Sequence, residues 1–149
     1  MGIALIDTNI LIDYFNGVEQ ANVELAYYDE LALSVITYME FVIGLRKQTG
    51  MGALTIEERD LAITAVNNLR IVQIDNDITQ RAIEVRSNSL MGGGPKIKLP
   101  DAIIFATAAT QGCYMVTRDT ESFVGSNVRQ PYRITAEGTV VDINPHKPM

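Results

Sequence analysis

Residues 3–6, Ile-Ala-Leu-Ile, form a short apolar run that stops abruptly at Asp7-Thr8-Asn9. With no polar residue in it, the run reads as a buried strand that delivers an acid at its carboxyl end. In open α/β sheets that end is where ligands bind. The chain then repeats the pattern. Residues 31–35, 71–74 and 114–117 read as further short strands, and helical segments lie between them. Helices are expected over residues 10–16 (with Gly17 as a stop), weakly over 18–28, over 37–47, from 55 onward, over 77–90 and over 100–109. Thr55-Ile56-Glu57-Glu58 fits a capping box, and Leu61, Ala65 and Leu69 space an apolar face behind it. Residues 132–135 and 139–143 lean toward β-structure before a Pro-containing tail. Alternating strands and helices predict an α/β domain with a mainly parallel central sheet.

The side chains limit the chemistry more than the fold does. The 149 residues fit one domain, expected to span 1–149, with no internal repeat. Cys113 is the only cysteine, so it forms no internal disulfide; between Gly112 and Tyr114-Met115-Val116 it reads as a small buried hydrophobe. His146 is the only histidine and stands among prolines. Histidine-based zinc sites and Ser-His-Asp or Cys-His catalysis are thereby excluded in their usual forms. Carboxylates and a cation remain. No apolar run approaches the ~20 residues of a membrane helix. MGIALIDTNI shows no secretory leader, so a cytoplasmic location is expected. The net charge of −6 speaks against bulk electrostatic binding of nucleic acid, although two divalent cations would bring it to −2.

Four acids stand where such a site would form. Asp7 follows the first strand; its plain structural role would be a helix N-cap, which Asn9 could fill instead. Glu40 lies in ITYMEFVIGL, apolar on nearly every helical face, with no cation three or four residues away. A solvated Glu on a narrow polar strip is the plain alternative, yet a carboxylate buried there unpaired would be costly without a metal. Asp101 opens the apolar helix PDAIIFATAA, where an anion favours the helix N-terminus in any case. Asp119 follows the strand at 114–117 and could be no more than a turn aspartate. Taken together, converging carboxylates in a cleft imply bound Mg²⁺ or Mn²⁺, ions that suit oxygen-only sites.

The stretches IALIDTNILIDYF, ITYMEFVIGL, LPDAIIFATA and MVTRDTESF resemble, in order and spacing, the signature segments of the PIN-domain family. The likeness runs from residue 3 to about 124, leaving residues 125–149 as a C-terminal extension with possible edge strands. The resemblance implies a three-layer α/β/α domain in which Asp7, Glu40, Asp101 and Asp119 bind the metal. It further implies that Thr117 supports the site and that Asn9 is a polar partner behind it. A stand-alone chain of this length looks most like the VapC toxins. That likeness implies a small Mg²⁺- or Mn²⁺-dependent endoribonuclease acting on RNA, usually a homodimer, inhibited by a cognate antitoxin whose C-terminal segment occupies the groove. The extension and the loop Gly92-Gly93-Gly94-Pro95-Lys96-Ile97-Lys98 depart from the family pattern.

Lys96 and Lys98, close in sequence to Asp101, are candidate contacts for RNA phosphates, with Arg118 beside Asp119 and Arg86 as further candidates. The glycine loop is no phosphate-binding Walker loop, since no Ser or Thr follows its lysine. Two other acid-and-metal folds fit less well. A haloacid-type phosphatase needs Asp where Asn9 stands, and a receiver domain needs an acceptor Asp and a late Lys that the chain does not pair. A catalytically silent PIN fold that binds RNA or protein is the remaining alternative, and the presence of all four acids counts against it.

Glu121 competes with Asp119 for the last place. Two residues further from the strand end, it reads as an exposed acid in a first helical turn, worth roughly 0.3–1 kcal/mol there. Asp119→Asn is therefore expected to weaken both metal affinity and RNA cleavage, while Glu121→Gln changes neither by more than a few-fold. The reverse ranking would show the fourth segment to be misaligned.

Overall fold

A computed structural model describes residues 2–146. Strand β1 (Ile3–Ile6) lies at the centre of a five-stranded sheet. Chain order then brings α1 (Thr8–Phe15), α2 (Glu19–Ala26), β2 (Glu30–Ser34), α3 (Val35–Gly50) and α4 (Ile56–Asn67). Next come β3 (Arg70–Val72), α5 (Asn76–Met91), α6 (Leu99–Gln111), β4 (Tyr114–Val116) and β5 (Val128–Arg129). The strand order is β3-β2-β1-β4-β5, and every pairing in it is parallel. With six helices flanking this sheet, the architecture is the three-layer α/β/α arrangement expected. β6 (Tyr132–Ile134) and β7 (Val140–Asp142) make a separate antiparallel pair.

The apolar strand runs are explained by burial on both faces. Along β1, Ala4 and Ile6 point to one side, joining Leu33, Val116, Ile10, Leu11, Phe41 and Val66. Leu5 points to the other, with Ala32, Met115, Ile104, Ala108 and Phe123. Alternation with a period of two thus places successive residues in different cores, so no polar position survives in the strand. From β1 the chain moves out to β2 and β3, then returns across the sheet to add β4 on the other side. The direction of strand addition reverses between β1 and β4, which opens a crevice at their carboxyl ends.

Several local expectations change. In α4 the buried face is Ala62 and Val66, while Leu61 is 72% exposed. Two apolar stripes one residue apart fit the same periodicity, and only the packing of α4 against its neighbours, chiefly α3, chooses between them. The capping box at Thr55 forms as expected, with Glu58 returning the bond. Helix α3 is less enclosed than its composition suggests: Thr37, Phe41 and Leu45 are buried, but Met39 and Ile43 are exposed. The two-residue β5 is too short to leave a periodic signal. Residues 120–122 form a turn rather than the helical start expected around Glu121.

The extension is fastened to the domain. Glu24 in α2 is buried, and its carboxylate accepts from Arg129 Nε at 2.8 Å, Arg129 Nη2 at 3.2 Å and the Tyr28 hydroxyl at 2.9 Å. His146 stacks on Tyr27 at 3.6 Å between ring centroids, with its Nε2 3.0 Å from Glu24 Oε2. The Pro-flanked histidine is therefore part of a packed contact. Residues 147–149 of the extension lie outside the described residues. Among the described residues no helix is long and apolar enough to cross a membrane.

The assignment of the inner face of α4 has a direct consequence. Val66→Ala should destabilise the protein by about 2 kcal/mol through the cavity it leaves, whereas Leu61→Ala should stay within roughly 0.5 kcal/mol. Urea denaturation of both variants checks this, and equal effects would place Leu61 inside.

Candidate active site

The crevice is built from the ends of four elements. Asp7 follows β1 and is the N-cap of α1, so Asn9 does not take that role; it lies one turn-step inside the helix. The two carboxylate oxygens of Asp7 do different work. Oδ1 accepts the Thr8 amide at 2.8 Å, closing the helix start. Oδ2 accepts the Thr117 hydroxyl at 2.6 Å and the Asn9 side-chain Nδ2 at 3.3 Å. Thr117 is fully buried at the end of β4, and its hydroxyl oxygen also accepts the Asp119 amide at 2.9 Å. One hydroxyl therefore connects the first acid to the turn that carries the last.

Asp119 organises that turn itself. Its Oδ1 accepts the amides of Glu121 and Ser122 at 3.0 and 3.1 Å, which is why residues 120–122 turn instead of entering a helix. Asp101 lies in the first turn of α6, and Glu40 lies one turn into α3, where the Thr8 hydroxyl reaches its Oε1 at 3.5 Å. Glu40 is exposed, at the mouth of the crevice rather than within an apolar helix face.

The acids feel one another. Burial, opposed by bonds from Thr117 and Thr8, pushes the Asp7 carboxyl above the usual carboxylate range, and the charges of Asp101 and Asp119 add to the rise. Partial desolvation at the crevice mouth raises Glu40 too, followed by the charges of Asp7 and Asp101, against the bond from Thr8. Asp101 is raised by burial and by Asp119, against smaller opposing effects of Ser122 and Lys98. The structure thus brings all four sequence candidates within electrostatic reach. Among the described residues none of the four makes a salt bridge.

The other two buried acids are treated differently. Asp13 and Glu24 each face an arginine, at 2.7 and 2.8 Å. The crevice acids have no such partner, and their donor set is all oxygen, which fits a hard divalent cation. Among the described residues no three acidic, His or Cys side chains stand close enough to form a finished metal cage.

The basic candidates are largely engaged elsewhere. Arg118 does not turn its guanidinium to the crevice: Nε and Nη2 bind Asp13 at 2.7 and 3.2 Å. Arg86 Nη1 donates to the Ile97 carbonyl at 2.9 Å, and Ser89 Oγ accepts the Ile97 amide at 3.1 Å. These bonds pin the end of the glycine loop. Lys96 and Lys98 are exposed, and Lys98 acts on Asp101 as a nearby positive charge. Sequence reasoning passed over Asp13, Thr8 and Ser122. The signal for Asp13 was present: it is an acid in the apolar segment TNILIDYF, four residues after Asn9 and so on the same helical face.

A PIN-domain family model matches residues 4–124. The chain belongs to the PIN-domain family. Solved structures agree. A chain of a toxin–antitoxin complex from Klebsiella pneumoniae is 35% identical with a TM-score of 0.73, the match covering 88% of this chain and 99% of that one. VapBC from Salmonella typhimurium, solved with DNA, is 22% identical with a TM-score of 0.68, covering 87% and 96%. FitAcB from Neisseria gonorrhoeae is 23% identical with a TM-score of 0.66, covering 83% and 91%. No curated protein matches the chain. Residues beyond 124 are an extension to the matched segment.

Raised carboxyl values fix the sign of a pH effect. A carboxyl that is harder to ionise folded than unfolded contributes stability below the ordinary range, and that stability is lost as pH rises through the folded value. The metal-free protein should therefore show a component of its melting temperature that falls as pH rises above the ordinary carboxylate range of about 4. Asp101→Asn should reduce this component and leave the melting temperature at pH 7 equal or higher. A clear loss of stability at pH 7 would mean that Asp101 is held by a favourable partner.

Proposed function

We propose that this PIN-domain protein is a divalent-metal-dependent endoribonuclease, and that it is the toxin of a toxin–antitoxin pair. The observation that carries the reading is the contrast within one molecule. Asp13 and Glu24 are buried and paired with arginine, whereas Asp7, Glu40, Asp101 and Asp119 lie within electrostatic reach with no ion pair to any of them among the described residues, Lys98 acting on Asp101 only as a nearby charge. Uncompensated acids at a sheet's switch point are what a bound Mg²⁺ or Mn²⁺ would relieve. When bound, such an ion supplies an activated water and charge stabilisation at a phosphodiester. Asp7 and Asp119 would hold it from the strand ends, Asp101 from the helix start and Glu40 from the mouth. Thr117 and Asn9 keep the Asp7 carboxylate turned toward the crevice through Oδ2.

RNA is the proposed substrate because phosphodiester chemistry suits an oxygen-ligated divalent ion and the family likeness points to RNA. Lys96 and Lys98, exposed ahead of α6, are the cations left to meet its phosphates. A cavity of about 210 Å³ opens beside Glu40, lined by Ile12, Phe15, Phe41, Leu45 and Leu54. An apolar antitoxin segment seated there would also cover the acid. This supports the inhibited-toxin reading, as does the 35% identical relative from Klebsiella pneumoniae, whose structure is a toxin–antitoxin complex. A homodimer in solution is part of the same proposal.

Purified protein is expected to cleave RNA with Mg²⁺ or Mn²⁺ and to stop when EDTA is added. Expressed alone, the chain should arrest growth, and Asp7→Asn should abolish the arrest while the protein stays folded. Cleavage that survives complete chelation would contradict the metal mechanism. A folded Asp7→Asn variant that still arrests growth would place the toxicity elsewhere.

A further inference from the structure

Asp13 is only 4% exposed, in the last turn of α1. A charge so placed needs partners, and it has three bonds. Arg118 supplies a fork, Nε to Oδ2 at 2.7 Å and Nη2 to Oδ1 at 3.2 Å. The Tyr132 hydroxyl donates to Oδ2 at 2.7 Å. Arg118 is fastened through its main chain as well: its amide donates to Asn9 Oδ1 at 3.1 Å, and its carbonyl accepts Gln130 Nε2 at 3.4 Å. Asn9 and Asp13 lie one helical turn apart on the same face of α1, so the residue is tied to that helix twice. Its chain neighbours are Thr117, which binds Asp7, and Asp119.

We propose that Asp13, Arg118 and Tyr132 form a strut that positions the turn carrying Asp119, so that Arg118 acts through that acid and does not touch RNA. The proposal rests on the ribonuclease reading above. Its second half concerns the extension, because Tyr132 is fully buried in β6, beyond the matched PIN segment. The hairpin after residue 124 therefore supplies a hydrogen bond behind the acidic crevice. A buried ion pair of this kind adds little net stability over an apolar filling, so fixed direction is what it offers. The planar guanidinium fork sets that direction in a way a lysine ammonium does not.

The test compares the full-length wild type with Arg118→Gln, Arg118→Lys and Tyr132→Phe, well below their melting temperatures. Mn²⁺ affinity is measured by titration calorimetry without RNA, and kcat and KM on a short RNA. Arg118→Gln should lose about 10–100-fold in Mn²⁺ affinity and in kcat, as supporting residues behind metal ligands do. KM should change little. Arg118→Lys should recover part of the loss, and Tyr132→Phe should shift both quantities the same way by a smaller factor. If Arg118→Gln fails to fold, the other two variants carry the comparison.

Unchanged Mn²⁺ affinity and kcat in the folded variants would overturn the strut. A rise in KM alone would overturn it too, making Arg118 an RNA contact. If the wild type itself binds no Mn²⁺ and cuts no RNA, the ribonuclease reading falls, and amide exchange in the metal-free protein judges the strut. Faster exchange at Asp119 in Arg118→Gln and Tyr132→Phe would uphold it, and unchanged exchange would end it.

Discussion

The carboxylate of Asp7 joins two parts of the molecule that lie 110 residues apart in the chain, the start of α1 and the end of β4. Its Oδ1 closes the start of α1, while its Oδ2 takes the Thr117 hydroxyl at 2.6 Å from the end of β4. Because Thr117 Oγ1 also receives the Asp119 amide, the position of the last acid is set relative to the first. Both bonds act at the point where strand addition reverses, between β1 and β4. A helix cap, a sheet crevice and an acidic site are thus the same few atoms. Truncation of that side chain would affect all of them, whereas Asp7→Asn removes the charge and keeps an oxygen acceptor for the helix start.

Asp7 does not neutralise the crevice; it helps to charge it. Elsewhere the protein pairs its buried acids, Asp13 with Arg118 and Glu24 with Arg129. In the crevice the same physics is left unresolved, and Asp7, Glu40 and Asp101 are held above their ordinary range by burial and by neighbouring acids. Repulsion of this kind costs stability, and proteins retain it where a ligand relieves it. The two arginine pairs also show where the extension matters. One holds the Thr117–Asp119 turn with help from Tyr132, and the other anchors β5 and the segment reaching His146.

Much of this arrangement could be read from the residues. Apolar runs such as IALI cannot be anything but doubly buried strands once helices follow each of them, and the acids at their ends then fall on one edge. Motif spacing brought Asp7, Glu40, Asp101 and Asp119 together, and the structure places them within mutual electrostatic reach. What could not be read depends on contacts distant in sequence. Leu61 and Ala62 are both apolar, and only the neighbours of α4 decide which faces inward. Arg118 beside Asp119 looked available to RNA, because nothing in the local sequence reveals that Asp13, 105 residues away, holds it. The role of Tyr132 was invisible for the same reason, at a separation of 119 residues.

The account stands on whether the four acids of the crevice take up a divalent ion. Crystals of the protein soaked in Mn²⁺ and measured for anomalous scattering would answer this directly. The account predicts a manganese peak within the crevice, with carboxylate oxygens of Asp7, Asp101 and Asp119 as ligands and Glu40 at its mouth. Well-ordered carboxylates with no anomalous peak between them, at a Mn²⁺ concentration that supports cleavage by the same protein, would contradict it.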